Sequence, residues 1–180
     1  SYKYNITVHT VPPVVKKDIE LTAGKHNTIA IDAPQGKLKF EINGVTNYNK
    51  LQGLIIDKKT GAIINVQEFN YEQKYIVGDY KLELLTLPRI TQESISIVQD
   101  KATTLQVQQP GKLNIITRGK YEIGIFRIHK GETELVKVLK LGLQKNVTVL
   151  QPGDYQLIYR ATATKETLST KTTNFTIKSG

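Results

Sequence analysis

Three histidines and sixteen carboxylates are the natural places to look for acid-base or metal chemistry in this 180-residue chain, which contains no cysteine. His9, His26 and His129 lie far apart, and only His129 has carboxylates close by, Glu132 and Glu134 in the stretch HKGETE. Those three side chains could in principle hold a metal or share a proton. The letters HKGE also spell a solvated hairpin tip, which is the commoner use of such a sequence. The other acidic groups are scattered: Asp18 with Glu20, Asp57, Glu68 with Glu72, and Asp79 with Glu83. In a strand, residues two or four apart share one face, so Asp18/Glu20 and Asp79/Glu83 are expected on solvent faces beside lysines. No glycine-rich phosphate loop, nucleophile elbow or HExxH motif occurs. The absence of cysteine removes disulfides, thiolate catalysis and cysteine-ligated zinc or iron-sulfur sites. The expectation is a non-enzymatic chain with no cofactor, no metal and no catalytic residue.

Binding is the alternative to catalysis. There is no Trp and there are only four Phe, so the usual stacking platform for sugars is missing, and Tyr48, Tyr71 and Tyr121 are the best candidates for a carbohydrate-binding surface. The competing expectation is that these tyrosines cap the ends of hydrophobic cores. A formal net charge of +9, from 25 Lys and Arg against 16 Asp and Glu, could attract a polyanion. Only four of the basic residues are Arg (Arg89, Arg118, Arg127 and Arg160), and the lysines occur singly or as the pairs Lys16-Lys17 and Lys58-Lys59. Arginine is the usual bidentate reader of phosphate and bases, so no specific nucleic-acid partner is expected. The sequons NIT, NVT and NFT are more readily explained by the strand preference for Thr than by glycosylation.

The elements that would position any site repeat within the chain. Residues 18 to 90 lie over 94 to 165, pairing IEL with ISI, HNTIAI with ATTLQV, APQGKL with QPGKL and VGDYKLELL with PGDYQLIYR. The offset is 76 and then 75, with Gln35 accounting for the change. Each copy alternates apolar and polar residues with a period of two: Ile29 and Ile31, then Leu38, Phe40 and Ile42, then Tyr80, Leu82 and Leu84. Turn residues separate the segments at intervals typical of an antiparallel sandwich. The chain is therefore expected to be all-β, two tandem antiparallel β-sandwich domains related by internal duplication, with residues 1–87 as the first and 88–180 as the second. Leu135 to Leu143 could be helical by its spacing, but its counterpart GAIINVQ is short and β-branched, which predicts strand.

The twice-used turn has a physical reading. Pro152 fixes φ at a tight turn, Gly153 supplies positive φ, and Asp154 can hydrogen-bond the backbone as the chain leaves; in the first copy Val77 replaces the proline and Gly78 and Asp79 keep their places. Tyr80 and Tyr155 then open a strand facing the core, where each hydroxyl needs a partner, as in a tyrosine corner. Between the copies, Leu85, Leu87, Pro88 and Ile90 are too apolar for a flexible linker and are expected to pack at the interdomain junction.

The stretches VHTVPPVV, LTAGKHNTIAIDAPQGKL, QKYIVGDYKLELLTLPR and QPGDYQLIYRA resemble the region that follows the von Willebrand factor A domain in exported Gram-negative envelope proteins labelled calcium-activated chloride channel homologues. Each copy also resembles the small prealbumin-like and PEGA β-sandwich modules. The resemblance implies an extracytoplasmic place (periplasm, outer membrane or cell surface), an upstream von Willebrand factor A domain in the same parent chain, and a protein partner in the envelope. The family's metal site needs a DxSxS motif, which this chain lacks, so no metal ligand carries over. With no Met and no signal-like start, the sequence reads as a piece of something longer. No apolar run approaches the roughly 18 residues of a membrane span.

Overall fold

A computed structural model describes residues 2–44, 48, 50–142, 145–162 and 170–180. Its described residues form strands and connections without a helix, which fits the period-two alternation of the sequence. The strands in chain order are β1 (Lys3–Val8), β2 (Val14–Glu20), β3 (Gln35–Ile42), β4 (Gln52–Asp57), β5 (Ile63–Glu68), β6 (Glu72–Ile76), β7 (Gly78–Leu84) and β8 (Ile90–Ile97). They continue with β9 (Ala102–Val107), β10 (Gly111–Ile116), β11 (Tyr121–His129), β12 (Glu132–Leu141), β13 (Lys145–Leu150), β14 (Gly153–Ala161) and β15 (Lys171–Ile177). The segment from Leu135 to Leu141 lies in β12, the strand that its counterpart predicts.

Two compact units result: residues 1–41, 52–84 and 91–105 in the first, and residues 42–51, 85–90 and 106–180 in the second. In the first, β1 and β2 form an antiparallel hairpin, while β6-β3-β9 and β5-β4-β7-β8 are separate sheets. Those two sheets face each other. Phe40 of β3 lies over Gly53 of β4, where an added Cβ would sit 2.5 Å from the ring. Buried Gln67 of β5 donates to the carbonyl of Leu38 in the opposite sheet at 2.9 Å. Leu38, Phe40, Ile55, Tyr75, Leu82, Leu84 and Ile97 are fully buried between the layers. The start of β9 meets the start of β3 through Lys37 N–H to Lys101 O (2.8 Å) and Asp100 N–H to Gln35 O (3.0 Å), so these neighbours run parallel.

In the second unit the four-stranded sheet is β12-β11-β14-β15, and the facing sheet holds, among the described residues, β10 and β13. Its core is built on Ile115, Ile123, Ile125, Leu139, Leu141, Leu150, Tyr155 and Ile177.

The turn that occurs twice in the sequence is built the same way twice. Gly78 and Gly153 have φ of 155° and 154°, a region that side chains disfavour. Tyr80 donates its hydroxyl to Ile76 O at 2.7 Å, and Tyr155 donates to Gln151 O at 2.6 Å. A second corner also recurs. Thr10 and Thr86 each donate to the carbonyl two residues on, Pro12 and Pro88, at 2.7 Å. Val11 O accepts the N–H of Ile76 and Leu87 O that of Gln151, both at 2.8 Å.

Four expectations are modified. β8 and β9, which follow residue 88, complete the sheets of the first unit, so a boundary at 87/88 would separate the hydrogen-bonded neighbours β7 and β8. HNTIAI, the counterpart of β9, lies outside any strand, because no sheet edge runs beside it among the described residues. The turn aspartates bind the adjoining strand and not the turn backbone: Asp154 accepts from the Thr176 hydroxyl at 2.7 Å, and Asp79 accepts from Ser96. Of the apolar residues near Pro88, Leu87 packs against the second core, Pro88 is buried, and Leu85 and Ile90 are half-buried.

Candidate functional site

The residues singled out for chemistry do not converge. His9, His26 and His129 are exposed. His129 faces Glu132 across the β11–β12 hairpin, whose tip is Lys130 and Gly131, both at positive φ, as a two-residue turn of mirror-image type requires. No group of three metal-ligating side chains occurs among the described residues. Asp57 is a turn residue: the backbone N–H groups of Thr60 and Lys59 and the Thr60 hydroxyl donate to it, holding its carboxyl below the usual range. Glu122 is held low by hydrogen bonds from Arg160 across the β11–β14 pair, the shortest at 2.8 Å. Lysine partners do appear beside acidic groups elsewhere, as in Lys3 with Asp18 at 3.7 Å and Lys81 with Glu93 at 3.2 Å.

The three candidate tyrosines have three different surroundings. Tyr48 caps the second core: its hydroxyl oxygen accepts from Gln151 Nε2 at 2.9 Å and from Leu87 N–H at 3.4 Å, and burial raises its pKa. Tyr71 is 60% exposed. Its carbonyl accepts from Gln67 Nε2 at 2.8 Å, beside a shallow hollow of about 240 Å³. Tyr121 is half-buried and meets Tyr159 edge-on at 6.3 Å.

Tyr121 and Tyr159 line an open groove of about 500 Å³ in the second unit. Its walls are Leu113 and Ile115 of β10, Ile123 of β11 and Leu157 of β14. The two units differ in the strands described beside it. In the first unit β3 carries β6 on one edge and β9 on the other, whereas β10 carries β13 and, among the described residues, no strand opposite it. The effect shows residue by residue. Leu38, Leu82 and Leu84 are fully buried, but their counterparts Leu113, Leu157 and Tyr159 are only half-buried. Ile116, at the end of β10, is 74% exposed. The match of QPGKL to APQGKL puts Leu113 in the place of Leu38, which is fully buried. The groove depends on how many strands reach the sheet, which alternation along one strand does not encode.

No family model matches the chain, and no curated protein matches it. Among solved structures, a streptococcal ancillary pilin is similar over 93% of this chain and 66% of its own, at 13% identity and a TM-score of 0.34. The chain thus spans just under two thirds of the length of that pilin.

Proposed function

We propose that the chain is a non-enzymatic spacing and protein-interaction module of an exported cell-envelope protein, holding or presenting an adhesion domain of the von Willebrand factor A type. The observation that carries this reading is the recurrence of one bonded corner, in which a threonine hydroxyl closes on a proline carbonyl and the preceding carbonyl takes an N–H from the end of the next strand set. A unit that repeats with its own internal bonds adds length without a new fold, as in modular stalks. The test is replacement of residues 1–180 in the parent protein by an unstructured Gly/Ser segment of matched reach. Attachment that survives the exchange supports spacing, and attachment lost while the protein stays on the surface supports a binding face. Recovery of the parent protein from the cytosol would overturn both.

A second reading, carbohydrate binding, is favoured by the aromatic rim of Tyr121 and Tyr159 beside a groove. Calorimetry with neutral oligosaccharides should then give saturable heat that Tyr121→Ala removes, and flat titrations would exclude it.

A further inference from the structure

Charge divides unequally between the two units. The first carries 11 basic and 11 acidic side chains and the second 14 and 5, so the whole formal excess of +9 and all four arginines belong to the second. The fold does not require this. In the first unit carboxylates stand beside the lysines, as in Lys37 with Glu72, Lys39 with Glu41 and Lys81 with Glu93. In the second the cations gather at one end of the sandwich, where β10, β12 and β14 finish and β11, β13 and β15 begin. Lys145 faces Ile116, Lys140 and Arg160 flank Glu122 on either side, Lys171 faces Tyr159, and the carbonyl of Lys120 accepts the Thr162 N–H. Arg118 follows two residues after β10. All six of these cationic side chains are exposed. Neighbouring strands lie about 5 Å apart, so the row from Lys140 on β12 to Lys171 on β15 crosses about 15 Å.

We infer that this basic end of the second unit binds an acidic polysaccharide. Among the described residues Arg160 pairs with Glu122, while Arg118, Lys120, Lys140, Lys145 and Lys171 make no ion pair. Like charges held this close repel one another, and a bound polyanion relieves the repulsion. Four of those five are lysines, compact hydrated charges that meet a lone carboxylate or sulfate, whereas the planar fork of arginine is the better match for rows of phosphates. Glu122, in the middle of the patch, points the same way. Its carboxylate accepts from sugar hydroxyls and repels a strand that is charged at every unit. Between Lys120 and Lys140 lies a hollow of about 360 Å³, lined also by Tyr121, Glu122 and Thr162. It sets aromatic surface and hydrogen-bonding groups beside two cations, the combination that a sugar ring bearing a negative charge requires. The inference rests on the carbohydrate reading and sharpens it to charged sugars, with the cations and not the Tyr121–Tyr159 groove as the principal contact.

The test is titration calorimetry of the 180-residue chain with four probes: an oligogalacturonate, a neutral dextran of the same length, an oligothymidylate of the same length, and phosphatidylglycerol vesicles. The oligogalacturonate should bind saturably and lose about tenfold or more in affinity as salt rises from about 50 to 200 mM. Lys120→Gln, Lys140→Gln, Lys145→Gln and Lys171→Gln combined should weaken it by about tenfold or more, and Lys16→Gln, Lys17→Gln, Lys58→Gln and Lys59→Gln in the first unit, which remove the same charge, by less than about twofold. All eight side chains are exposed, so both variants are expected to fold. Equal weakening by the two sets would reduce the effect to net charge. Tighter binding of the oligothymidylate or of the vesicles would assign this end to a phosphate polymer or a membrane. Either result, or an oligogalacturonate that gives no heat at low salt, overturns the inference. Dextran separates this failure from that of carbohydrate binding as such: dextran bound as tightly as the oligogalacturonate, and lost in Tyr121→Ala, keeps the neutral groove and overturns the charged site.

Discussion

At the scale of single residues, the interior is held by polar groups with assigned partners. The hydroxyl of Tyr155 closes on Gln151 O, and that of Tyr75 donates to Gln67 Oε1 at 2.8 Å while accepting from Asn65 at 2.7 Å. Tyr155→Phe leaves a buried carbonyl without its donor, so the second unit should lose about 1–2 kcal/mol, read as a lower urea midpoint at unchanged slope. Burial pushes Tyr75 and Tyr155 up from 10.0 to about 12. A folded-state pKa raised above the unfolded one means that this contribution is fully present below pH 10 and is lost as the pH climbs toward 12. The urea midpoint should therefore be flat with respect to these groups up to pH 10 and fall above it, with a shallower fall in Tyr155→Phe. Gly53 makes a steric prediction. A methyl there meets the Phe40 ring at 2.5 Å and Leu84 at 2.9 Å, so Gly53→Ala should destabilise the first unit by about 1–3 kcal/mol through overpacking. The buried tyrosines were legible in the sequence, because a GDY turn followed by alternating leucines admits one inward phase. The role of Gly53 was not, because the residue that needs its missing side chain lies on a different sheet.

At the scale of elements, alternation located the strands, and comparison of the copies settled the ambiguous stretch at Leu135 in favour of β12. The comparison erred at His26–Ile31, where strand spacing is present without a neighbouring edge. A strand exists by pairing, so spacing is necessary for it but not sufficient. The same contrast separates β3, flanked on both sides, from β10, flanked by β13 alone among the described residues. In dilute protein, the amides of Lys112 to Ile116 should exchange with solvent at least about tenfold faster than those of Lys37 to Glu41, because opening one edge disturbs fewer bonds than opening a strand between two others. Equal protection in the two strands at low concentration would show that β10 is covered by something within the chain. The scattered site candidates follow the same logic. Tyr48, Tyr71 and Tyr121 look alike as loop aromatics in sequence, and only the paired strands decide that one is a cap, one is exposed and one borders a groove.

At the scale of the whole chain, the period of the sequence and the unit of folding share a length but not a starting point. The sequence repeats wherever one begins to count, but the seven strands that close the first pair of sheets run from β3 to β9. A fragment of residues 34–108 should therefore unfold in one cooperative step, whereas residues 1–87, which lack β8 and β9, should show non-cooperative melting and self-association through the bared edges of β3 and β7. Calorimetry and light scattering on the two fragments check this, and cooperative melting of 1–87 would refute it. A lattice offers the closest analogy. Its unit cell can be drawn from any origin without changing the crystal, but only some origins keep a molecule whole inside one cell. Here the corner at Pro88 is the conspicuous place to draw the line, and it cuts a molecule in two. A line just before Pro34, two residues ahead of the Gly36 that packs too closely on Val98 and Ile97 for any Cβ, keeps β3 and the unit whole. Recombination between related genes that respects this second origin exchanges complete sandwiches; recombination at the first exchanges strands, and each product then depends on finding its missing edge in another molecule.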